Sequence, residues 1–403
     1  MKVLHVITGL DAGGAEQQLA TLLRHTRHES DVVVLYNPGP VADQIREHGT
    51  SVRDLGMRKN TELRALAQLY RIVRDGRYDV VHAHLYRAQI YARPAARLAR
   101  VPVVLTTEHS IGETHIERRK MSAGVQLLYL ASELFSDATI AVSDVVRDRL
   151  VRWKVSAKKI SVIPNGLEVD EFAYDPEAGR QVRDQFGIPT DAYVIGALGR
   201  LDSNKRVGMT MEAAAPLLGE QCRMLVIGRG DDLPHLEAKA KTLGVADWVI
   251  FGGYQADSRA MLSAFDLYVA ASEQETFGLA VLEALASGLP VLYTTCPALD
   301  GIQTERARQV EGTVAALREA IQSETKAGPR PRQVPTEVFD LYGMQSVVSR
   351  IDELYEQILA VRPRRAERAM SRRPAEGPSL SVPLLDDSAL EGVAIGGTEE
   401  GAA

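Results

Sequence analysis

The chain has 403 residues, of which 45% are hydrophobic and 25% are charged, and its formal net charge is −6. This length is too great for one ordinary hydrophobic core and predicts two domains of usual size. The negative net charge gives no general affinity for nucleic acid, so no nucleic-acid partner is expected. The two cysteines, Cys222 and Cys296, are too few for a disulfide framework or a zinc site and fit a reducing compartment.

The N-terminus is typical of a β-strand rather than of a targeting segment. Residues 1–9 reach a glycine after a handful of apolar residues, which is too short for the apolar core of a signal peptide. No run approaches the roughly 20 apolar residues that a membrane span requires. We therefore expect a cytoplasmic protein that is at most peripheral to the inner face of the cell membrane.

Two segments carry basic residues that suit a peripheral membrane contact. Arg118, Arg119 and Lys120 precede an apolar helix within residues 116–130, and six arginines cluster between residues 362 and 373. For the first segment we favour a buried amphipathic helix, and for the second a solvated tail. Residues 362–403 are rich in Pro, Gly, Ser and Glu and are expected to be disordered.

The first half of the chain alternates short runs rich in Val and Ile with helical patterns. We predict strands at residues 3–7, 31–36, 79–83, 103–107, 138–142 and 160–163, with helices at 15–24 and 62–74. Such alternation indicates a parallel sheet that helices cover on both faces. We assign residues 1–180 to this first domain.

The same pattern then starts again. We predict strands at residues 193–199, 223–227, 248–251, 267–271 and 290–293, with helices at 209–218, 233–243, 261–264 and 277–286. Residues 190–335 form the second domain, and the prolines within 175–192 indicate linker structure at the boundary. A Pro/Arg-rich crossover at 328–335 leads to an amphipathic helix within 340–360 that joins the first domain. The predicted fold class is α/β, with two Rossmann-like doubly wound domains facing a cleft between them.

A glycine-rich loop follows the first predicted strand and opens a helix. It runs from Gly9 to Gly14 and places backbone N–H groups, including those near Gly13, at a positive helix end where an anion binds. The spacing differs from the dinucleotide fingerprint Gly-x-Gly-x-x-Gly, and no acidic ribose ligand follows about 20 residues later. These departures argue against a nicotinamide-dependent oxidoreductase.

Two cations follow the first strand of the second domain. Arg200 and Lys205 stand in the loop after Gly199, where they would point into the cleft between the domains. Arginine engages phosphate with a fork of donors and lysine adds a point charge, so this pair suits a diphosphate. On this loop alone, a solvated basic segment is an equally good interpretation.

Two glutamates bracket the start of a predicted helix. Glu275 lies in the preceding loop and Glu283 lies one or two turns into the helix, while residues 277–279 would expose N–H groups at its N-terminus. A carboxylate at Glu283 can accept hydrogen bonds from vicinal hydroxyls. Because one member sits on a helix flank, the pair does not match the two-carboxylate arrangement of glycoside hydrolases.

The histidines give a weaker signal. His82 and His84 alternate at the end of a strand, and without a third ligand a structural or substrate-contacting function is favoured over metal binding. His109 ends another strand. No Asp-x-Asp follows a strand where a metal–diphosphate site would be expected, so we expect a metal-independent protein without a cofactor.

Several motifs occur in an order that resembles one protein family. They are the Gly13-Gly14-Ala-Glu loop, Asp79–His84, Thr106–His109, Ala141–Ser143, Ile163–Gly166 with Phe172, Gly199–Leu201 with Lys205, Phe251–Gly253, and the pair Glu275 and Glu283. Together they resemble family 4 of the retaining glycosyltransferases, which have the GT-B fold, over residues 1–360. The resemblance implies transfer of a sugar from a nucleotide-diphosphate sugar.

The resemblance also implies a role for each matching residue. Those implied to be catalytic are His109, at the reactive face of the sugar, Arg200 and Lys205, on the diphosphate, and Glu275, near the sugar hydroxyls. Those implied to complete the donor site are Gly13, Gly14, Tyr254 with Gln255 at the base, Phe277, Gly278, Leu279 and the ribose ligand Glu283. It further implies same-face attack with retained configuration, assisted by the leaving phosphate, without a protein nucleophile or a metal.

One segment departs from the family pattern. After residue 292 the usual glycine-rich loop is replaced by Thr-Thr-Cys296-Pro, and the following strand-loop segment looks shortened on the way to residues 311–321. This loop borders the donor sugar and the diphosphate, so the donor sugar remains open.

We expect transfer from a UDP- or GDP-sugar to a glycan, a lipid-linked glycan or a small molecule, in cell-surface polysaccharide or glycoconjugate biosynthesis. A non-catalytic nucleotide-sugar-binding protein of the same fold is the alternative. An epimerase or phosphorylase of this fold is disfavoured, the former by the paired glutamates and the latter because no pyridoxal-type lysine motif is present.

Overall fold

The computed structural model describes residues 1–361 except residues 12, 60, 114 and 118, with residue 119 described for its backbone only. The predictions made for residues 362–403 lie outside these residues. Two parallel sheets organise the described chain, one built from its first 162 residues and the other from residues 193–309.

The first sheet has seven strands within the described residues, in the order β3-β2-β1-β4-β5-β8-β9. The strands of this half are β1 (Lys2–Ile7), β2 (Glu29–Val34), β3 (Ser51–Asp54), β4 (Val80–His84), β5 (Val103–Glu108), β6 (His115–Ile116), β7 (Arg119–Lys120), β8 (Ala138–Ala141) and β9 (Ile160–Val162), of which β6 and β7 pair with each other. Its helices are α1 (Gly14–His25), α2 (Gly39–Glu47), α3 (Leu63–Gly76), α4 (Tyr86–Leu98), α5 (Ala123–Glu133) and α6 (Asp144–Arg152).

The second sheet has six described strands, in the order β12-β11-β10-β13-β14-β15. They are β10 (Tyr193–Leu198), β11 (Cys222–Ile227), β12 (Val249–Gly253), β13 (Leu267–Ala270), β14 (Val291–Tyr293) and β15 (Ala307–Gln309). The remaining helices are α7 (Pro176–Gln185), α8 (Val207–Ala214), α9 (Leu233–Thr242), α10 (Ser258–Ala264), α11 (Leu279–Ala286), α12 (Val314–Ala327), α13 (Thr336–Phe339) and α14 (Met344–Val361).

Alternate residues of the central strands enter separate cores on the two faces of each sheet. On β1, Val3 and Ile7 pack in one cluster with α1 and α14, while Leu4 and Val6 pack in another with α3 and α4. A strand that is apolar on both faces requires cover on both faces. The predicted class, α/β with two Rossmann-like domains, is therefore correct.

The strand order fixes where a ligand site belongs. In both sheets the order reverses beside the first strand, between β1 and β4 and between β10 and β13. At such a switch point the connections leave to opposite faces and open a crevice at the carboxyl ends of the strands. The loops after β1, β10 and β13 contain Gly13, Lys205 and Glu275 respectively.

The linker interpretation of residues 175–192 was wrong for most of the segment. Asp175 caps helix α7 by accepting hydrogen bonds from the N–H groups of residues 177 and 178, and the helix packs on α10 of the second domain. The predicted end of the first domain at residue 180 thus falls inside a helix. The first of the two prolines that suggested a linker, Pro176, occupies the first helical position, where it is well tolerated.

Helix α14 returns to the first domain after the second is complete. Its buried residues Val348, Ile351 and Tyr355 join the core cluster that contains Val3 and Leu105. Asp352, also buried, accepts a hydrogen bond from Thr26 at the end of α1, at 3.0 Å. The chain therefore passes between the two domains twice.

Candidate active site

The N-termini of α1 and α11 approach each other across the cleft. Gly13 is the N-cap of α1 and Gly278 is the N-cap of α11, and neither supplies a side-chain cap. A Cβ built on Gly14 would lie 3.1 Å from Leu279 Cδ1, so the two helix ends are nearly in contact. The carboxylate of Glu16 lies at the α1 end, where a Cβ built on Gly13 would be 2.3 Å from its Oε2. Two positive helix ends face one region, which favours an anion there.

The turn before α11 requires glycine at residue 278. Its φ is +109°, and a Cβ would lie 2.4 Å from the sulfur of Cys296. The sulfur lies 3.6 Å from the carbonyl oxygen of Phe277, which also accepts a hydrogen bond from the N–H of Ala298 at 2.9 Å. The loop that departs from the family pattern thus packs directly behind the turn and supports it. The segment expected to be shortened still forms β15, which pairs with β14.

Lys205 and Glu275 contact each other. The ammonium of Lys205 lies 2.6 Å from a carboxylate oxygen of Glu275, and both side chains are largely buried. Asn204 joins the two loops, because its amide donates to the carbonyl of Gln274 at 2.9 Å and its oxygen accepts from the N–H of Gln274 at 3.1 Å. Sequence reasoning missed Asn204, although it directly precedes Lys205.

Arg200 lies at the carboxyl end of β10, as predicted, but its side chain is half exposed. Its guanidinium is 3.6 Å from the carboxylate of Asp202. The neighbouring loop approaches closely, because a Cβ on Gly230 would lie 2.0 Å from the carbonyl oxygen of Leu201. The backbone of this loop is therefore fixed by packing while the guanidinium remains accessible to solvent.

Glu283 lies on α11 behind the ion pair of Lys205 and Glu275. Burial raises the pKa of its carboxyl to about 7, while the charge of Lys205 acts in the opposite direction. Near neutral pH, Glu283 therefore changes between an acid and a carboxylate.

Tyr254 belongs to a contact that crosses the cleft. The guanidinium of Arg229 lies 5.0 Å from the centre of the Tyr254 ring, and it also pairs with Asp11 of the first domain at 2.5 Å. Gln255, the other predicted base contact, donates its amide to the carbonyl of Gly252 at 2.7 Å. Sequence reasoning missed Arg229, although its position between two glycines directly after β11 was a usable signal.

A second set of contacts joins the domains beside Glu275. Ser143 caps α6 and donates its hydroxyl to the carbonyl of Thr276 at 2.6 Å. The side-chain oxygen of Gln274 accepts from the N–H of Glu113 at 2.8 Å, and the Glu113 carboxylate pairs with Arg149 at 3.0 Å. We call Ser143, Thr276, Gln274 and Glu113 the interdomain latch.

His109 lies beside three further histidines. His84 shares hydrogen bonds with His109 at 3.4 Å and with His5 at 3.1 Å, while His82 contacts the hydroxyls of Tyr355 at 2.6 Å and Thr107 at 2.7 Å. Burial lowers the pKa of His5 to about 3 and of His109 to about 4, and lowers the pKa values of His82 and His84 well below the usual value. All four rings are therefore neutral at pH 7.

The assumption that His82 and His84 lack a third ligand was wrong. Ring nitrogens of His5, His82 and His84 all lie within 4.8 Å of one another. His5 lies on β1 in register with His82 on β4, which brings residues remote in the sequence to one face of the sheet. Both nitrogens of His82 are already hydrogen-bonded, however, so a metal would have to displace Tyr355 or Thr107. Metal independence stays a prediction.

Family models cover most of the chain. Residues 12–171 match the model described as Glycosyltransferase Family 4, and residues 192–323 match the model described as Glycosyl transferases group 1. The two matches correspond to the two sheets.

Curated relatives and solved structures agree with these models. The UDP-Gal:alpha-D-GlcNAc-diphosphoundecaprenol alpha-1,3-galactosyltransferase of Escherichia coli is 28% identical over 272 residues, covering 64% of this chain and 69% of that protein. The alpha-monoglucosyldiacylglycerol synthase of Streptococcus pneumoniae is 29% identical, covering 60% of this chain and 58% of that protein. The structure of Anabaena Alr3699/HepE in complex with UDP and glucose superposes with a TM-score of 0.78 at 20% identity, covering 89% of this chain and all of that one.

The two Rossmann-like domains and the cleft between them define a glycosyltransferase with the GT-B fold. Within that class, the chain belongs to glycosyltransferase family 4, and its named relatives are hexosyltransferases. Among the described residues, no helix combines the length and the apolar character that crossing a membrane would require.

Proposed function

We propose that this protein is a retaining glycosyltransferase that moves a hexose from a UDP- or GDP-sugar to a glycan, a lipid-linked glycan or a small molecule, in the biosynthesis of cell-surface polysaccharide or glycoconjugates. The observation that carries this proposal is the approach of two helix N-termini, each with glycine as its N-cap, next to the loop in which Glu275 pairs with Lys205. UDP is the nucleotide that we favour, because the superposed Anabaena structures contain UDP or UDP-glucose.

The proposed reaction needs little more than electrostatic stabilisation. As the bond between sugar and diphosphate breaks, negative charge grows on the leaving phosphate, and fixed N–H groups and cations there lower the barrier. The leaving phosphate accepts the proton of the acceptor hydroxyl on the same face of the sugar. Lys205 and Arg200 are proposed to bind the diphosphate, and the ion pair of Lys205 with Glu275 holds both side chains in place before the donor arrives.

The remaining donor contacts follow the arrangement of the loops. Glu275 is proposed to bind sugar hydroxyls, Glu283 the ribose hydroxyls, and Tyr254 the base. His109 is proposed to face the reactive carbon of the sugar from the first domain. This scheme requires no metal ion, because the helix N–H groups, Arg200 and Lys205 would neutralise the charge of the diphosphate.

Binding is tested by thermal unfolding with UDP-glucose, UDP-galactose, GDP-mannose and ADP-glucose. A donor present at 100 times its Kd stabilises the folded state by about 2.7 kcal/mol, which gives a measurable rise in Tm. We expect one UDP-sugar to give the largest rise. If all four donors leave Tm unchanged, the proposed donor site is wrong.

Turnover is tested with Lys205→Ala and a matched control. Lys239 forms a similar ion pair with Glu212, at 2.7 Å, on the outer surface of the second domain. We expect K205A to abolish sugar transfer while K239A transfers normally, both with unchanged folds. Donor binding without transfer in the wild type, across glycan, lipid-linked and small-molecule acceptors, would instead support the non-catalytic alternative.

We also propose a peripheral membrane contact at helix α5. The sequence favoured a buried amphipathic helix within residues 116–130, whereas several apolar side chains there are exposed. Helix α5 was expected to be buried, yet Leu127, Leu128, Leu134 and Phe135 are exposed by 69%, 49%, 76% and 42%. Leu127, Leu128 and exposed Ala131 lie on one side of the helix, and Leu134 and Phe135 follow in the turn that ends it. We call these five residues the α5 apolar surface.

The charges around this surface fit an anionic membrane. Lys120, before the helix, is exposed. Two acidic residues close to this surface in the sequence do not add exposed negative charge to it. Glu133 is buried and pairs with Lys159, and Asp137 is buried and pairs with Arg97. A surface that is apolar at its centre and basic at its edge inserts side chains while its cations attract anionic headgroups. Relatives named for undecaprenol and diacylglycerol substrates support an acceptor at such a surface.

Cosedimentation with vesicles tests this contact. We expect the wild type to sediment with vesicles of phosphatidylcholine and phosphatidylglycerol but not with phosphatidylcholine alone, and the double variant L127S/F135S to remain in solution. Leu63→Ser, which changes an 84% exposed leucine elsewhere on the first domain, is the control and should sediment normally. Equal sedimentation of wild type and L127S/F135S would contradict the proposal.

A further inference from the structure

The four clustered histidines of the first domain, His5, His82, His84 and His109, fall into two hydrogen-bonded groups. His82 is held by Tyr355 and Thr107 and does not belong to the chain that reaches the cleft. The other group runs from Nδ1 of His5 to Nε2 of His84, at 3.1 Å, and from Nδ1 of His84 to Nε2 of His109, at 3.4 Å. The ring planes of successive members lie 25° and 28° apart, so the rings are nearly parallel along the chain.

In a chain of hydrogen-bonded neutral imidazoles, all the hydrogen bonds must be donated in the same direction along the chain. Each neutral ring has one nitrogen that donates and one that accepts. If His84 donates from Nδ1, then Nε2 of His109 accepts and the proton of His109 is on Nδ1. If His84 instead donates from Nε2 to His5, its Nδ1 accepts from His109, which then keeps its proton on Nε2. The tautomers of His5, His84 and His109 are therefore coupled.

Packing leaves the orientation of His109 incompletely fixed. A cavity of about 30 Å³ borders both His84 and His109, between α1, α14 and the ends of the central strands. His109 is half-buried, at the end of β5, with its Nδ1 left over for a substrate. Because side chains do not fill the space beside it, the hydrogen bond from His84 has a large share in holding the ring.

We propose that His84, supported by His5, is a positioning residue that fixes the ring orientation and the tautomer of His109, and so decides whether Nδ1 of His109 donates to the substrate or accepts from it. This inference rests on the proposed function of His109 at the donor sugar. The low pKa values of all three rings agree with it, since protonation would replace the coupled donor–acceptor order by two donors on one ring.

The first test reads the tautomer directly and needs no activity. The full chain is labelled with ¹⁵N-histidine, and the His109 signals are assigned by their loss in His109→Gln. In the wild type we expect one protonated and one unprotonated nitrogen with distinct shifts. In His84→Leu we expect the two shifts to move toward each other as both tautomers become populated.

Two further variants separate positioning from folding. His84→Asn keeps an amide group near the place of the ring Nδ1 and should retain the wild-type His109 signals. His82→Leu is the control, because it makes the same exchange two residues earlier on the same strand. It should reduce Tm, since His82 is bonded to Tyr355 and Thr107, without changing the His109 signals. The proposal is overturned if H84L leaves the His109 tautomer unchanged, or if H82L alters it as much as H84L does.

The second test uses sugar transfer. We expect H84L to lower kcat by at least about tenfold with the donor KM nearly unchanged, and H84N to recover most of the loss. In serine proteases a wrong histidine tautomer costs about 10⁴-fold, so tenfold is a modest requirement. Equal losses in H82L and H84L overturn the proposal. Absence of transfer by the wild type would contradict the proposed function instead, while the tautomer measurement still decides this inference.

Discussion

At the scale of single residues, Glu283 is a group whose charge depends on its surroundings. Burial places its pKa at about 7, against 4.5 for an ordinary glutamate. A carboxylate accepts hydrogen bonds from two hydroxyls more strongly than the protonated acid does. A ligand that needs the carboxylate must therefore bind better as the pH rises through 7.

This argument predicts a pH dependence of donor binding. Between pH 6 and pH 8 the ionised fraction of Glu283 rises from about one tenth to about nine tenths, so the Kd of a UDP-sugar should fall several-fold. Glu283→Gln should bind more weakly at pH 8 and show a nearly flat profile. Titration calorimetry at three pH values measures both. A wild-type profile that is as flat as that of E283Q would remove Glu283 from the donor site.

Gly278 gives a second prediction at this scale. A side chain there meets two obstacles, the positive φ of the turn and the sulfur of Cys296 at 2.4 Å from the new Cβ. Gly278→Ala should therefore lower the free energy of unfolding by about 1–3 kcal/mol. In a Cys296→Ala background the same exchange should cost less, because only the backbone strain remains.

Urea unfolding of the four proteins in this cycle measures the coupling. Strict additivity of the two changes would show that Cys296 does not support the turn.

At the scale of elements, the two capping serines of the first domain can be compared directly. Ser122 and Ser143 cap α5 and α6 by accepting from the N–H three residues later, at 3.3 and 3.2 Å. Only Ser143 also donates across the cleft, to the carbonyl of Thr276. This carbonyl precedes the turn that begins α11, so the latch acts on the backbone of the donor site.

The comparison predicts different consequences for two similar variants. Ser122→Ala and Ser143→Ala should each cost about 1 kcal/mol through loss of a helix cap. S143A should in addition weaken donor binding, whereas S122A should bind the donor normally. Urea unfolding and calorimetry with a UDP-sugar measure the two effects. Equal donor affinity in both variants would show that the latch does not influence the site.

The sequence predicted elements with regular patterns and missed those without them. Every predicted strand is present within two residues of its expected ends. Helix α4 was missed because its buried face contains Gln89 and Arg93 and it includes Pro94, which together obscure an amphipathic period. Arg93 is buried because it donates to Ser132 and Thr106, at 3.0 Å each, partners that lie far away in the sequence.

Most residues of the candidate site could be predicted from the sequence, whereas the contacts among them could not. Gly13, Gly278, Lys205 and Glu275 occupy loops that follow recognisable strands, and the structure brings these loops together. The pairing of Lys205 with Glu275 and the partners of His84 depend on which strands are neighbours in the sheet. Periodicity along the chain carries no information about those contacts.

At the scale of the whole molecule, helix α14 completes the domain in which the chain begins. Its residues cover one face of the first sheet, and Tyr355 satisfies a ring nitrogen of His82 in the core. Loss of this helix exposes an apolar face and leaves a buried polar group without its partner. The first domain should therefore be unable to fold stably without it.

Two shortened chains test this dependence. A chain that ends at residue 361 keeps α14 and should unfold like the full-length protein. A chain that ends at residue 340 lacks it and should lose the cooperative unfolding of the first domain, with dye binding to exposed apolar surface. Differential scanning calorimetry compares them. A cooperative first domain in the shorter chain would contradict the assignment of α14 to its core.

The return of α14 also sets an order for synthesis. The last strand of the first sheet ends at residue 162, and the helix that covers the sheet begins at residue 344. At 5–20 residues per second a ribosome takes roughly 10 to 40 s to make the intervening segment. During that interval the nascent first domain carries an uncovered apolar face while the second domain can already complete its own sheet. The second sheet can therefore be complete before the first sheet receives its last covering helix, and the earlier half of the chain is the half more exposed to aggregation during synthesis.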